Sequence, residues 1–320
     1  MNFARALTTW GSPGGNRGKL LTFFFHRVLE QPDPMMPGEP DAAHFDRILT
    51  WIGQQFVVLH PLEACDRLVS GTLPSRAAMI SFDDGYRDNH DVALPLLNRH
   101  GMKAAFFIAT GYLGGGVQFN DRLTEALRDF RKDAIDARWL GLGTLPAASL
   151  ETKLLALERL REKIKYLQPD SRSEAVERVE ALCDSRGQGL QRGRVMMTPA
   201  EVRALAHNGM EVGGHTVMHP ILLSVNDETA STEISRGRED LASILVHPPT
   251  LFAYPNGRPR SDFDQRHVAM VRQAGFSFAF STQRGVATSS ADPLVLPRFM
   301  PWDTNPWRFK LQAFRVTVGL

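Results

Sequence analysis

The sequence predicts an α/β protein with a parallel β-sheet that is covered by helices on both faces. Apolar runs at residues 20–25, 78–82 and 103–110 alternate with segments of helical periodicity. Strands that read as unbroken apolar runs are typical of parallel sheets buried on both sides. Polar residues stand where several of these runs end, and a length of 320 residues suits a single-domain α/β barrel. We therefore expect one domain spanning residues 1–320.

The order of the elements follows from apolar patterns, caps and turn residues. Two helix starts have clear signals: Asp41 as an N-cap, and a capping box of Thr198 and Glu201 with proline at the first helical position. Strands are expected at residues 20–25, 56–59, 78–82, 103–110, 210–214, 251–254, 276–281 and 294–296. Helices are expected at residues 41–51, 61–70, 92–99, 198–208, 227–245, 267–273 and 305–318.

Residues 121–193 interrupt this alternation. The segment is rich in Leu, Arg, Glu and Lys and contains no convincing strand. Between residues 154 and 164, its leucines are spaced so that they would lie on one face of a helix. We expect a helical insertion within the domain. It forms either a lid or side wall of a site, or a solvated helical hairpin with no part in one.

Composition excludes several classes of protein. The net charge of +2 gives no case for nucleic acid or an anionic membrane as the main partner. Two isolated cysteines, Cys65 and Cys183, form neither a disulfide framework nor a thiolate metal site. Neither a signal peptide nor an apolar stretch of about 18 residues is evident. We expect a soluble, cytoplasmic protein; peripheral membrane association and the oligomeric state stay open.

The C-terminal ends of the predicted strands concentrate the residues with chemistry. Active sites of α/β barrels and of open parallel sheets alike are built at this edge. Placement alone therefore predicts a site there. The strand-end residues are His26, Asp83 with Asp84, Thr110, His215, Pro255 with Asn256, and Arg298.

Asp83 and Asp84 end an apolar run and precede Gly85. Neighbouring strand residues point to opposite faces, but the freedom of Gly85 can turn both carboxylates toward one pocket. Two like charges in one pocket need a compensating cation or proton. A metal ion at one carboxylate and proton transfer at the other would resolve the conflict. Taken alone, the pair is most simply a solvated strand-end turn.

His215 and His219 are four residues apart, so a helical turn could present both rings to one ion. Thr216 occupies the position where zinc proteases of similar spacing need a glutamate. Two imidazoles and a carboxylate from the Asp83-Asp84 pair would make a three-ligand set with open positions, as catalytic zinc or iron(II) requires. By itself, this spacing more often occurs between two histidines that do not share a metal ion.

The two motifs together resemble the polysaccharide deacetylase family, also known as the NodB-homology domain or carbohydrate esterase family 4. Its first motif, TFDDG, is matched by SFDDG at residues 81–85, and its histidine motif is matched by HTVMH at residues 215–219. The resemblance covers about residues 20–116 and 195–300. It implies a distorted, incomplete (β/α) barrel interrupted by the helical insertion.

The resemblance also implies roles for individual residues. Asp84, His215 and His219 would bind one divalent ion, with Zn²⁺ the first choice and Co²⁺, Ni²⁺ or Mn²⁺ the alternatives. Asp83 would be the catalytic base. In this family a residue of the third motif, here the stretch Ala253-Tyr254-Pro255-Asn256-Gly257, supplies a backbone N–H to the oxyanion, and Asn256 is the candidate. Tyr86 and Pro255 are candidate substrate contacts.

Two departures from the family pattern affect the site. Ala253 replaces the third-motif arginine that orients the base, and Arg298 is the candidate to take over that task, although a simple rim ion pair is equally compatible with its position. Arg298 also stands where the family has a histidine as general acid. His26 is the best substitute acid; the alternative is that His26 has a purely structural role.

The resemblance implies a hydrolase that removes N-acetyl, or alternatively O-acetyl, groups from a saccharide. The Phe-His-Arg-Val opening and the Tyr-Pro-x-Gly variant resemble a branch found with bacterial exopolysaccharide and envelope-glycan systems. Two alternatives remain: a deformylase or deacylase of a lipid-linked sugar, and a non-catalytic glycan-binding protein of the same fold.

Overall fold

Seven parallel strands form a nearly closed barrel in the computed structural model, which describes residues 8–184, 193–301 and 303–320. In sheet order they are β1 (Leu21–Phe25), β3 (Ala77–Phe82), β4 (Ala104–Ile108), β7 (Glu211–Gly214), β8 (Leu251–Ala253), β9 (Phe278–Arg284) and β10 (Leu296–Arg298). The two-residue strand β2 (Val57–Val58) pairs with the start of β3. Just beyond β10, Phe299 exchanges backbone hydrogen bonds of 2.8 and 3.1 Å with Thr22 and Phe24 of β1, which bridges the gap. The predicted fold class is confirmed.

Helices cover the outside of the barrel between successive strands. They are α1 (Ala42–Gln55), α2 (Pro61–Val69), α3 (Leu94–Arg99), α7 (Pro199–His207), α8 (Asp227–Ile244), α9 (Gln265–Gln273) and α10 (Pro306–Val318). The Asp41 side chain accepts a hydrogen bond from the backbone of His44, and Thr198 and Glu201 form a complete capping box. Both predicted helix starts are therefore confirmed. Within the described residues, no helix is both long enough and apolar enough to cross a bilayer.

Both faces of the strands are buried, which explains their unbroken apolar sequences. Met79 and Phe107 belong to one hydrophobic cluster, whereas Ile80 and Phe106, one residue away on the same strands, belong to the other. Side chains alternate between the two faces of a strand, so each strand supplies both clusters. All four side chains are fully buried. The barrel therefore gives the strand-end residues rigid positions.

The insertion contains a β-hairpin that the sequence did not indicate. Its helices are α4 (Phe119–Arg128), α5 (Leu150–Ile164) and α6 (Pro169–Leu182), and β5 (Ala134–Asp136) pairs antiparallel with β6 (Thr144–Pro146). Only the central residue of each three-residue strand is buried, so neither strand is long enough to show an alternating pattern. The expectation of no strand was wrong here. Residues 185–192 of the predicted insertion lie outside the described part.

The last two barrel strands begin two residues later than the sequence predicted. Strand β10 covers Leu296–Arg298, because residues 292–295 form a turn in which Asp292 accepts hydrogen bonds from the backbone of Leu294 and Val295. Arg298 is therefore the final residue of the strand, and its side chain can enter the space above the barrel.

Candidate active site

A cavity of about 1130 Å³ opens at the C-terminal ends of the strands. Most residues that the sequence assigned to a site lie in its lining: His26, Asp83, Asp84, Tyr86, His215, His219, Asn256 and Arg298. Two strand-end residues do not. Pro255 is buried and is not among the lining residues, and Thr110 donates a hydrogen bond to Asp240 on α8.

The Asp83-Asp84 turn directs both carboxylates into this cavity. The backbone N–H of Asp83 still continues the sheet by donating to the carbonyl of Phe25 at 2.9 Å. Asp84 and Gly85 then take left-handed backbone conformations, with φ of 79° and 92°. Such a conformation is costly for aspartate, so the surrounding structure must hold it in place. The sequence predicted the freedom of Gly85 but not the strained backbone of Asp84 itself.

Asp84 lies between the two histidines. Its Oδ1 is 3.4 Å from Nε2 of His215 and 3.3 Å from Nε2 of His219, and all three side chains are buried. This oxygen is fully buried yet has no hydrogen-bond partner among the described residues. A buried acceptor without a donor is costly unless something else compensates it. A cation placed among these three atoms would do so.

The protonation states of the two imidazoles also suit a metal ion. Nδ1 of His215 lies 2.7 Å from the carbonyl of Ala253, which requires a proton on Nδ1 and makes Nε2 the nitrogen that faces Asp84 and could bind an ion. Burial lowers the pKa of His219 to about 3, so its ring is neutral at neutral pH. Burial favours the acid form of Asp84, but His219 and His215 outweigh this and hold its pKa below the usual range. The donor set therefore fits a divalent ion such as zinc.

The histidine motif is a loop and not the helical turn that the spacing suggested. Thr216 and His219 both have positive φ, 65° and 51°, and the hydroxyl of Thr216 accepts a hydrogen bond from the backbone N–H of His219 at 3.1 Å. From α8, the carboxylate of Glu233 accepts the backbone N–H groups of Val217 and Met218 at 2.9 and 2.7 Å. These contacts bring the two rings together although no helix carries them. Spacing alone cannot separate a tight loop from a turn of helix.

Arg298 holds Asp83 in a two-point ion pair. Its Nη1 and Nη2 lie 2.7 and 2.8 Å from the two carboxylate oxygens, and its Nε donates to the carbonyl of Ser281. The guanidinium also lies 4.4 Å from the centre of the Phe24 ring. Burial alone would raise the pKa of Asp83, but Arg298 outweighs it and the pKa is lowered. Asp83 is therefore an ionised, fixed carboxylate beside the histidines.

Asn256 is a lining residue of the cavity. Its φ of 57° is left-handed, and its carbonyl accepts a hydrogen bond from Thr282 at 2.6 Å. No hydrogen bond from its N–H occurs within the described residues. This N–H can therefore donate to an incoming oxygen. His26 lines the same cavity and packs edge-on against Phe24, with ring centres 5.8 Å apart.

Apart from Tyr86, sequence reasoning missed a buried polar cluster on the insertion side of the cavity. The hydroxyl of Tyr86 donates to Asp121 of α4 at 3.1 Å, and the guanidinium of Arg27 lies over the Tyr86 ring and 3.5 Å from Asp121. Arg27 also pairs with Asp88 at 2.8 Å. Burial raises the pKa of Asp121 to about 6. Since Asp121 is distant in sequence from both motifs, no signal could have identified it.

The insertion supplies one wall of the cavity. Asn120 and Asp121 of α4 and Leu157, Glu158 and Arg161 of α5 are lining residues. Of the two expectations for this segment, the side wall agrees with this placement and a hairpin remote from the site does not.

Comparisons with known proteins show the family of the chain. The profile of the family described as Polysaccharide deacetylase matches residues 70–135 and 186–279. YxkH of Bacillus subtilis (strain 168), which is named as a polysaccharide deacetylase, is 31% identical over 282 residues, covering 88% of this chain and 70% of YxkH.

Two solved structures share the fold. The match to the deacetylase PplD of Streptococcus pyogenes has a TM-score of 0.60 at 17% identity. It covers 92% of this chain and 98% of the PplD chain. The match to IcaB from Ammonifex degensii also has a TM-score of 0.60, at 18% identity. It covers 96% of this chain and 98% of the IcaB chain. The profile and the 31% identical relative lead to one assignment: the chain belongs to the polysaccharide deacetylase family and is a deacetylase enzyme.

Proposed function

We propose that the chain removes N-acetyl groups, or alternatively O-acetyl groups, from a saccharide with the help of one divalent ion, Zn²⁺ in the first instance. Asp84, His215 and His219 would hold the ion. The observation that carries the proposal is the buried Oδ1 of Asp84, which has no hydrogen-bond partner in the described structure and lies within 3.4 Å of two imidazole nitrogens. Beside it stands a carboxylate kept ionised by Arg298.

A bound ion at this site supplies Lewis acidity, which polarises the acyl carbonyl and acidifies water. Asp83 accepts a proton from the attacking water, and Arg298 keeps its carboxylate ionised and oriented for that task. The free N–H of Asn256 donates to the oxygen that becomes negative as water adds to the acyl carbon. His26 donates a proton to the sugar nitrogen as the C–N bond breaks. The products are a free amine and acetate.

Three further points support this assignment. PplD was solved in complex with acetate, the acid that deacetylation releases. A non-catalytic glycan binder has no use for a buried carboxylate that a guanidinium keeps ionised. The Phe-His-Arg-Val opening and the Tyr-Pro-x-Gly stretch favour a role in bacterial polysaccharide or envelope-glycan biosynthesis.

Acetate release from N-acetylglucosamine oligomers tests the proposal. We expect chelator-treated protein to be inactive and added Zn²⁺ to restore activity. Asp83→Asn should release no acetate, whereas His247→Ala, a matched histidine variant outside the cavity, should keep the wild-type rate. Acetate release that is unaffected by chelation, or an Asp83→Asn variant as active as the wild type, would contradict the mechanism.

A leaving-group comparison tests the role of His26. We expect His26→Ala to lower the rate on N-acetyl saccharides by about 10²-fold or more, because the amine must be protonated as it leaves. An aryl acetate has a leaving group that needs no proton, so its hydrolysis should change little. Equal losses on both substrates would return His26 to a structural role.

A further inference from the structure

The outer face of α10 carries two large, exposed apolar side chains. Trp307 and Leu311 are four residues apart, so they lie on one side of the helix, and they are 74% and 57% exposed. The opposite side is buried, with Phe309 stacked against Phe23 of the barrel. A helix needs one apolar stripe to pack on a barrel. This helix has a second one that nothing in the described structure covers.

The charged residues of α10 are all cations. Arg308, Lys310 and Arg315 lie between Pro306 and Val318, and the helix contains no Asp or Glu. Within the described residues, no ion pair involves any of the three. The charge of the whole chain, +2, hides this local concentration.

Exposed aromatic and aliphatic side chains flanked by unpaired cations are the composition of helices that lie in the interface of an anionic bilayer. Tryptophan in particular favours the headgroup region. A second exposed aromatic residue, Trp10, is 77% exposed, and the adjoining Gly11 lies close to the side chains of Phe314 and Val318 at the end of α10. The apolar surface therefore extends beyond the helix itself.

The position of α10 links this face to the active site. Gln312 and Arg315 line the same cavity that holds Asp83 and the histidines. A surface that contacts α10 would therefore adjoin the cavity mouth.

We propose that α10 is a membrane-docking helix: Trp307 and Leu311 insert into the interface of an anionic lipid bilayer while Arg308, Lys310 and Arg315 contact its headgroups. The cavity then opens beside the bilayer, where saccharides attached to lipid are presented. Docking itself does not depend on the proposed chemistry.

Co-sedimentation of the full chain with lipid vesicles tests docking without reference to catalysis. We expect binding to vesicles that contain phosphatidylglycerol, weaker binding to pure phosphatidylcholine, and a decline in binding with added salt. The double variant Trp307→Ser/Leu311→Ser should bind at least about 10-fold more weakly, because the inserted apolar surface is lost. The variant Arg308→Gln/Lys310→Gln should lose its preference for the anionic vesicles.

Val246→Ser is the matched control, since Val246 is 83% exposed but lies just beyond α8. It should bind vesicles as the wild type does. Unchanged thermal unfolding of the Trp307→Ser/Leu311→Ser variant would show that this variant is folded. The proposal is overturned if the wild type does not bind phosphatidylglycerol vesicles, or if the double variant binds them equally well. It is also overturned if light scattering shows a dimer that the double variant dissociates, because the face would then bind a second copy of the chain.

Discussion

At the scale of single residues, the site depends on the Asp83–Arg298 pair. The family's third-motif arginine is absent, and a guanidinium from another strand lies beside Asp83, the proposed base. The sequence identified Arg298 as a candidate because this residue ends an apolar run. The sequence could not distinguish contact with Asp83 from a rim ion pair. Only the closure of the barrel, which brings β10 next to β1, the sheet neighbour of β3, decides between the two.

Replacing only one partner of this ion pair should lower the free energy of unfolding more than replacing both partners. Arg298→Met leaves the buried Asp83 carboxylate without a partner, and we expect a loss of about 3–5 kcal/mol in the free energy of unfolding. Arg298→Met combined with Asp83→Asn removes the unpaired charge and should recover part of that loss. Urea unfolding of the two variants measures both values. A double variant that is no more stable than Arg298→Met would mean that the two side chains do not interact as the structure indicates.

At the scale of elements, α8 holds the histidine loop in place. Glu233 accepts two backbone N–H groups of the loop, so it fixes the rings without contacting them. We expect Glu233→Ala to weaken zinc binding by about 10–100-fold, as is typical for residues that support metal ligands. Titration calorimetry would measure the change.

Glu239→Ala provides the matched control, since Glu239 lies on the same helix but is exposed and contacts only Arg236 among the described side chains. Equal zinc affinity in the two variants would show that the loop does not need α8.

Strand β7 carries an acidic residue whose ionisation opposes folding. Burial raises the pKa of Glu211 from 4.5 to about 7. Between these pH values the folded chain keeps a proton that the unfolded chain has lost, so stability falls as the pH rises through this window and the loss is complete above pH about 7. Because the side chain is partly accessible, we expect only about 1–2 kcal/mol.

Glu211→Gln should therefore be more stable than the wild type at pH 8 and equally stable at pH 4. Thermal unfolding at both pH values is the measurement, and Glu174→Gln on the surface of α6 is the control. A gain that is the same at both pH values would have another cause.

The elements that the sequence predicted well are those with long, regular patterns. Strands β1, β3 and β4 read as apolar runs because both faces are buried, and the caps of α1 and α7 use local hydrogen bonds. The β5–β6 hairpin and the histidine loop were not predicted. Three-residue strands are too short to alternate, and the loop depends on a carboxylate from a helix later in the chain.

At the scale of the whole molecule, the barrel brings distant strand ends to one cavity and the insertion adds a wall. The strand-end rule predicted the lining residues His26, Asp83, Asp84, His215, Asn256 and Arg298, because it follows from the direction of parallel strands. It could not predict the contribution of α4 and α5, whose contact with the cavity depends on how the insertion packs. The Arg27–Tyr86–Asp121 cluster at that wall arises only from tertiary structure.

The central claim is a division of labour between adjacent aspartates, with Asp84 as a metal ligand and Asp83 as the base. Zinc bound per chain in the wild type, Asp83→Asn and His215→Ala tests it most directly. We expect about one zinc ion in the wild type and in Asp83→Asn, and almost none in His215→Ala. Equal loss of zinc in both variants, or a wild type that binds none, would contradict the account.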